Sequence, residues 1–157
     1  MQLDTSILSD RVAITDKLAL WCHIVDTHSI DRLGEVFLPD VFWDFGEGRT
    51  LNNIAELTST IQQGIVANEN CGPTMHNVTN VVVEVDQDSA HSRANCFAAH
   101  AGRGRFAGQN FLVWLTYHDQ WTRNALGWRV ARRTYRWQFT QGPIEIIRGG
   151  PVSGTDG

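Results

Sequence analysis

From Ser9 to Asp26 the apolar residues Ile14, Leu18, Trp21 and Val25 recur at steps of three and four, the spacing of one helical face. Ser9 and Asp10 stand at the N-terminal edge of that pattern as expected caps, so the segment predicts an amphipathic helix with one buried stripe. A second, short helix is expected from about Asp31 to Phe37, stopped by Pro39, followed by a brief extended piece from Val41 to Phe45. Ile54, Leu57, Ile61 and Ile65 then mark a third helix, with Asn53 and Glu56 spaced as a capping box. The Cys71-Gly72-Pro73 sequence is expected to break the chain and end this helical half.

Beyond Pro73 the period changes to two. Four strands are predicted, Thr74 to Val85, Ser89 to Ala101, Gln109 to Arg123 and Trp128 to Phe139, separated by short polar turns. Helices first and a meander afterwards predict segregated α+β layers rather than a wound α/β sheet. Alternation also sorts the side chains into faces. Ala94, Cys96, Ala98 and His100 share one side, three small residues ending in an imidazole, a row suited to a cavity floor. Phe111, Val113, Leu115, Tyr117, Asp119 and Trp121 share the next face, and Arg133 falls in register with Tyr135, Trp137 and Phe139. A guanidinium among aromatic rings needs a partner. Leu112 and Trp114 lie opposite Val113 and Leu115, so that strand is apolar on both sides; a homo-oligomer built across the outer face, with a dimer favoured, is the expectation.

Composition narrows the picture. A chain of 157 residues, 42% hydrophobic and 19% charged, is long enough for one domain, placed at 1–148 with a disordered Gly-rich tail at 149–157. A net charge of −4 gives no basic footprint, so neither nucleic acid nor an anionic membrane is an expected partner. Six tryptophans and seven phenylalanines favour a large apolar cavity or a subunit interface. Cys22, Cys71 and Cys96 have neither zinc-site spacing nor disulfide density, and no leader or membrane-length apolar run is visible; a cytoplasmic protein without metal or cofactor is expected.

Three protonatable residues stand out. Asp26 closes a helix, where the macrodipole disfavours a carboxylate, although a plain turn residue is the ordinary alternative. His76 opens a strand and His100 ends one, and each alone could be a structural imidazole. A carboxylate and two imidazoles around one dry pocket can move protons at neutral pH, since a histidine titrates near 6.5 and a carboxylate orients it. Which imidazole is base and which acid stays open. Tyr117 and Arg133 are candidates to stabilise an enolate or departing oxygen, with Asp119 holding one of them in place, and a purely structural polar network is the alternative. The pocket is expected to be lined by Trp21, Cys96, Ala98, Leu115, Tyr135 and Trp137, while His23, His28, His91 and His118 receive no role.

The stretches Val25-Asp26-Thr27-His28-Ser29-Ile30-Asp31-Arg32-Leu33, Phe37-Leu38-Pro39-Asp40-Val41, Thr74-Met75-His76-Asn77-Val78, Tyr117-His118-Asp119-Gln120-Trp121 and Gly127 to Arg133 resemble the SnoaL-like family of the nuclear transport factor two-like superfamily. That superfamily includes scytalone dehydratase, bile acid 7α-dehydratase, ketosteroid isomerase and polyketide cyclases. The resemblance implies a cone-shaped α+β barrel, with N-terminal helices packed in a curved antiparallel sheet. It implies that Asp26, His76 and His100 take the places of scytalone dehydratase's catalytic aspartate and histidines, and Arg133 that of a functional arginine in the bile acid enzyme. Val25 and Phe45 replace the two tyrosines that hold a water in scytalone dehydratase, which makes Phe45 a pocket residue and a different substrate the expectation. The reading that follows is a cofactor-independent dehydratase, cyclase or isomerase acting on a bulky apolar, polycyclic or aromatic metabolite in natural-product biosynthesis. The alternative is a non-catalytic carrier of hydrophobic ligands or a small subunit of a ring-hydroxylating oxygenase.

Overall fold

The structure, a computed structural model, describes residues 5–148; the tail expected at 149–157 lies outside them. Helix α1 (Thr5–Asp26) buries the anticipated stripe of Ile14, Leu18, Trp21 and Val25. It starts earlier than expected. Ser9 and Asp10 are therefore inside the helix rather than capping it, and Asp10 acts as a clamp, accepting from Arg123 Nη1 at 2.7 Å and from Trp128 Nε1 at 2.9 Å.

The expected second helix is a 3₁₀ turn over Ile30–Glu35, and the chain is already extended at Phe37. Strand β1 (Phe37–Gly46) runs through Pro39, whose missing N–H falls where pairing is irregular, between Phe37 and Phe42. After β2 (Arg49–Leu51), helix α2 (Ile54–Ile61) opens on the Asn53 cap, which accepts from the Glu56 N–H at 2.9 Å. Its winding loosens into a π turn over Gln62–Val66, so Ile65 is only half-buried. The expected break at Gly72-Pro73 is instead the start of β3 (Cys71–Asp86), where the pairing skips from Cys71 to Thr74 and the irregularity absorbs both residues.

β3, β4 (Ser89–Gly102), β5 (Asn110–Asn124) and β6 (Gly127–Gln141) form the meander. The sheet has six strands in the order β2-β1-β6-β5-β4-β3 and is curved and mixed, not wholly antiparallel, because β1 runs parallel to β6. α1 lies across β3 inside the curve, which makes the cone. Bulges aim the side chains. Left-handed Asn80 (φ 54°) interrupts the β3 ladder and turns Val81, Val83 and Val85 inward after Thr74, His76 and Val78. In β6 the partner shifts from Trp137 (opposite Leu115) to Phe139 (opposite Trp114), leaving Gln138 unpaired. Phe139 thus leaves the face expected for it and stacks on Trp114 on the outer surface, ring centroids 4.3 Å apart.

At the end of β6, Gly142 (φ 92°) reverses the chain so closely over Asn110 that an added Cβ would sit 1.9 Å from the Asn110 carbonyl oxygen. The returning 3₁₀ turn (Ile144–Ile146) is pinned by buried Asn68, whose amide donates to the Ile146 carbonyl at 2.8 Å and the Gly64 carbonyl at 2.9 Å. Ile147 is thereby brought over the open end of the cone. Among the described residues, no helix is long and apolar enough to cross a membrane.

Candidate active site

A chamber of about 140 Å³ lies between α1, α2 and the inner face of the sheet. Trp21, Phe45, Ala98, Leu115 and Tyr135 line it as anticipated, and His76, His100 and Tyr117 also reach its wall. Two anticipated lining residues do not. Cys96 sits beneath the floor, hydrogen-bonded to Cys22, a contact that together with burial pushes the Cys22 thiol well up. Trp137 keeps the expected register opposite Leu115 but lines an adjoining outer cleft instead, and its indole N–H donates to the Tyr135 hydroxyl.

Asp26 is held at the chamber's edge by the way α1 ends. Thr27 N–H bonds back to His23 O and Ser29 N–H to Ile24 O, with His28 left-handed between them at φ 60°. The carboxylate then crosses to β3. Its Oδ1 lies 2.7 Å from His76 Nδ1 and accepts from Thr74 Oγ1 at 2.8 Å, while Oδ2 accepts the His76 backbone N–H at 2.9 Å. Burial raises the carboxyl pKa, but the His76 ring N–H, the His76 backbone N–H, the imidazole charge and the Thr74 hydroxyl outweigh it and hold Asp26 below its ordinary value. An ionised partner on Nδ1 selects the Nδ1–H tautomer and leaves Nε2 as the basic atom. His76 Nε2 has no hydrogen-bond partner among the described residues.

His100 stands diagonally across from His76, ring centroids 5.4 Å apart and planes at 88°. Its Nδ1 faces the Phe111 carbonyl at 3.2 Å, which accepts and so fixes the same tautomer. Burial, then the neighbouring His76 charge, lowers its pKa to about 4, against the opposing effects of the Phe111 carbonyl and Asp26. At neutral pH His100 is an uncharged acceptor. The two imidazoles thus differ: only His76 has a carboxylate to stabilise its protonated form.

The remaining candidates lie behind the wall. Asp119 and Arg133 are directly opposed across β5 and β6 and form a bidentate pair, Nε to Oδ1 and Nη2 to Oδ2 both at 2.7 Å, with both side chains wholly inaccessible. The guanidinium lies 3.9 Å from the Tyr117 ring centroid, inside a cage that includes Phe37 and Trp43. Neither Arg133 nor Asp119 lines the chamber, which corrects the expected contact of Arg133 with reacting atoms; Asp119 holds Arg133, one of the two partners expected for it, and the apolar face seals the pair in. Tyr117 presents its ring to the chamber, but its hydroxyl is engaged by Trp21 Nε1 at 3.1 Å and by the Cys96 thiol, and burial pushes its pKa well up. Arg133 Nη1 and Trp43 Nε1 are buried donors without a partner among the described residues.

Sequence reasoning missed Thr74, Trp43 and the contribution of Thr60, Gly64 and Ile147. Thr74 shares the parity of His76, and Trp43 that of Val41 and Phe45, so both carried a signal. The rim from the π turn and the C-terminal return carried none. Among the described residues, no group of three His, Cys, Asp or Glu side chains is arranged to hold a metal ion.

The geometry can be set beside known proteins. An uncharacterised Mycobacterium tuberculosis protein, Rv2910c, is 33% identical over 135 residues, covering 83% of this chain and 87% of that one. Solved structures share the fold. One, described as a candidate aromatic ring hydroxylase from Novosphingobium aromaticivorans, has a TM-score of 0.79 and 26% identity over 93% of this chain and 99% of that one. Another from the same organism, described as a candidate scytalone dehydratase, has a TM-score of 0.80 and 16% identity over 98% and 100%. The third, hexachlorocyclohexane dehydrochlorinase LinA-type3 from Novosphingobium barchaimii, has a TM-score of 0.76 and 18% identity over 90% and 94%. A nuclear transport factor 2-like superfamily protein from Salmonella enterica has the same cone, with a TM-score of 0.70 and 14% identity over 96% of this chain and 99% of that one. Residues 6–134, which carry α1, Asp26 and both imidazoles, match the SnoaL-like domain, and the chain belongs to that family.

Proposed function

We propose that the protein is a cofactor-independent acid/base enzyme of the lyase or isomerase type, acting on a ring-bearing apolar metabolite of the kind made in natural-product pathways. The observation that carries this reading is the Asp26–His76 pair opening on an apolar chamber: Nδ1 is held by a carboxylate at 2.7 Å and Nε2 is left without a protein partner. His76 Nε2 takes a proton from a carbon next to a carbonyl, and Asp26 stabilises the imidazolium that results. The C–H electron pair moves into a new double bond. In an elimination the leaving group departs with its own bonding pair, and a departing hydroxide takes the proton back from His76 and leaves as water. In an isomerisation the same proton returns at another carbon. His100, neutral and accepting at Nε2, orients a substrate hydroxyl. The dehydratase and dehydrochlorinase names of two structural neighbours support elimination. A chamber of about 140 Å³ matches the ~150 Å³ apolar cavity that takes one benzene ring, so a polycyclic substrate places only its reacting ring inside.

The test uses 3-hydroxycyclohexanone for loss of water, followed by ultraviolet absorbance, and cyclohexanone in deuterium oxide for α-carbon exchange, followed by NMR. The wild type should accelerate at least one of these over buffer, and His76→Ala and Asp26→Asn should each lower that rate by roughly two to four orders of magnitude. A wild type no faster than His76→Ala on either probe would favour the carrier or oxygenase-subunit reading.

A further inference from the structure

A second cavity of about 550 Å³ opens beside the chamber. Phe45, Thr60, Tyr135 and Ile147 line both, so the two spaces adjoin at these four side chains. The chemistry changes across that boundary. The outer cleft is lined by two guanidinium-bearing residues, Arg49 and Arg148, and by no acidic residue, on a chain whose formal net charge is −4. Arg49 projects from β2 and its guanidinium carbon lies 5.4 Å from the Phe45 ring centroid, directly on the shared wall. Arg148 follows Ile147, another shared-wall residue, on the segment that Gly142 and Asn68 fold back over the cone. Neither has a carboxylate partner among the described residues, whereas Arg136 in the same corner is neutralised by Asp44 at 2.9 Å. Two unneutralised cations beside an aromatic rim suit a ligand whose apolar end passes inward and whose charged end stays at the mouth.

We propose that this cleft is an anion subsite continuous with the chamber, and that the substrate is a ring-bearing acid with a carboxylate or phosphate on a short arm, the ring inside and the anion between Arg49 and Arg148. The inference rests on the acid/base reading for the word substrate, but the subsite itself is read from binding alone. The ring-sized interior fixes how much of the ligand enters; the cleft accounts for the rest.

Isothermal titration with 4-phenylbutyrate, phenylbutyl phosphate and the neutral 4-phenylbutan-1-ol tests it. At least one anion should bind about ten-fold more tightly than the alcohol, the scale of two partly screened charge contacts, and the preference should shrink at high salt. Whichever anion gains more identifies the headgroup chemistry. The double variant Arg49→Gln/Arg148→Gln, whose positions are exposed and outside the core, should bind the alcohol as the wild type does and lose the preference. Equal affinity for anions and alcohol, a preference that survives the double variant, or no binding of any probe at millimolar concentration would each overturn the subsite. Failure of the catalytic reading looks different: a silent His76→Ala in the elimination and exchange assays leaves the charge preference in place.

Discussion

His100→Gln isolates a stability term that wild type should lose in acid. His100 is 3% exposed, donates from Nδ1 to the Phe111 carbonyl, and has its pKa lowered to about 4 by burial and the His76 charge. In the unfolded chain it titrates near 6.5. Its folded pKa is the lower one, so between these values the unfolded chain takes up a proton that the folded chain refuses. The associated stability is complete above pH ~6.5, falls with pH, and is gone below about 4. A difference of about two and a half units at 1.36 kcal/mol each gives about 3 kcal/mol. That is a large part of the ~5–15 kcal/mol that holds a domain together. Urea denaturation at intervals from pH 7.5 to 4.5 should show wild type losing roughly 1.4 kcal/mol per unit below 6.5 from this residue. Gln keeps a donor for the Phe111 carbonyl and does not titrate, so His100→Gln should run flatter by that amount. Parallel curves, or an NMR titration of His100 near 6.5 in the folded protein, would refute the buried neutral imidazole. Any contribution from Asp26, whose folded pKa is depressed, is lost only at lower pH, below the ordinary carboxylate range, so the windows separate.

Asp119→Ala leaves the wholly buried Arg133 without its counter-ion and should cost ~3–5 kcal/mol in urea unfolding, while Asp119→Leu/Arg133→Met should recover most of it; a cost below ~1 kcal/mol for the single change would contradict a sealed pair. Phe97, Trp114 and exposed Phe139 stack on the outer face of the sheet, and with Leu112 beside them they predict a homodimer across that face. Light scattering at micromolar concentration should give twice the chain mass for wild type and less for Phe139→Ser; a monomeric wild type would refute it.

The residues most readable from sequence lie where pairing is uninterrupted. β4 and β5 pair without a shift from Ser89 to Ala101, and there every inward residue from Ala94 to His100 and from Phe111 to Asp119 was placed correctly by alternation. The stripe of α1 was legible for the same reason, a period held over several turns. One unpaired residue in β6, Gln138, was enough to misplace Phe139, since a period of two inverts on a single insertion, while Trp137 before it keeps the expected register opposite Leu115. The parallel pairing of β1 with β6 was invisible: it joins segments about 90 residues apart, and Pro39 disguised a strand as a helix stop. Arg133 was recognisable as a cation needing a partner. Its exclusion from the chamber was not, because parity gives a face and no depth along it. The Asp26–His76 contact spans 50 positions; family resemblance grouped Asp26 with both imidazoles but left open which one it touches, and only the anomalous carboxylate at a helix end hinted at a role from physical grounds.

The proton-handling atoms and the shape of the chamber belong to different parts of the chain. Asp26, Thr74 and His76 are fixed by one helix end and one strand start, through three short contacts that involve no rim residue. Phe45, Thr60, Gly64, Ile147 and the two cleft arginines come from β1, β2, α2 with its π turn, and the C-terminal return. Substitution in the second set can redraw what enters the cone without loosening the first. A lineage built this way can exchange substrates by drift at its margins while inheriting one reactive centre unchanged. The C-terminal return, held by one glycine conformation and one asparagine amide, is the place where such divergence meets least resistance.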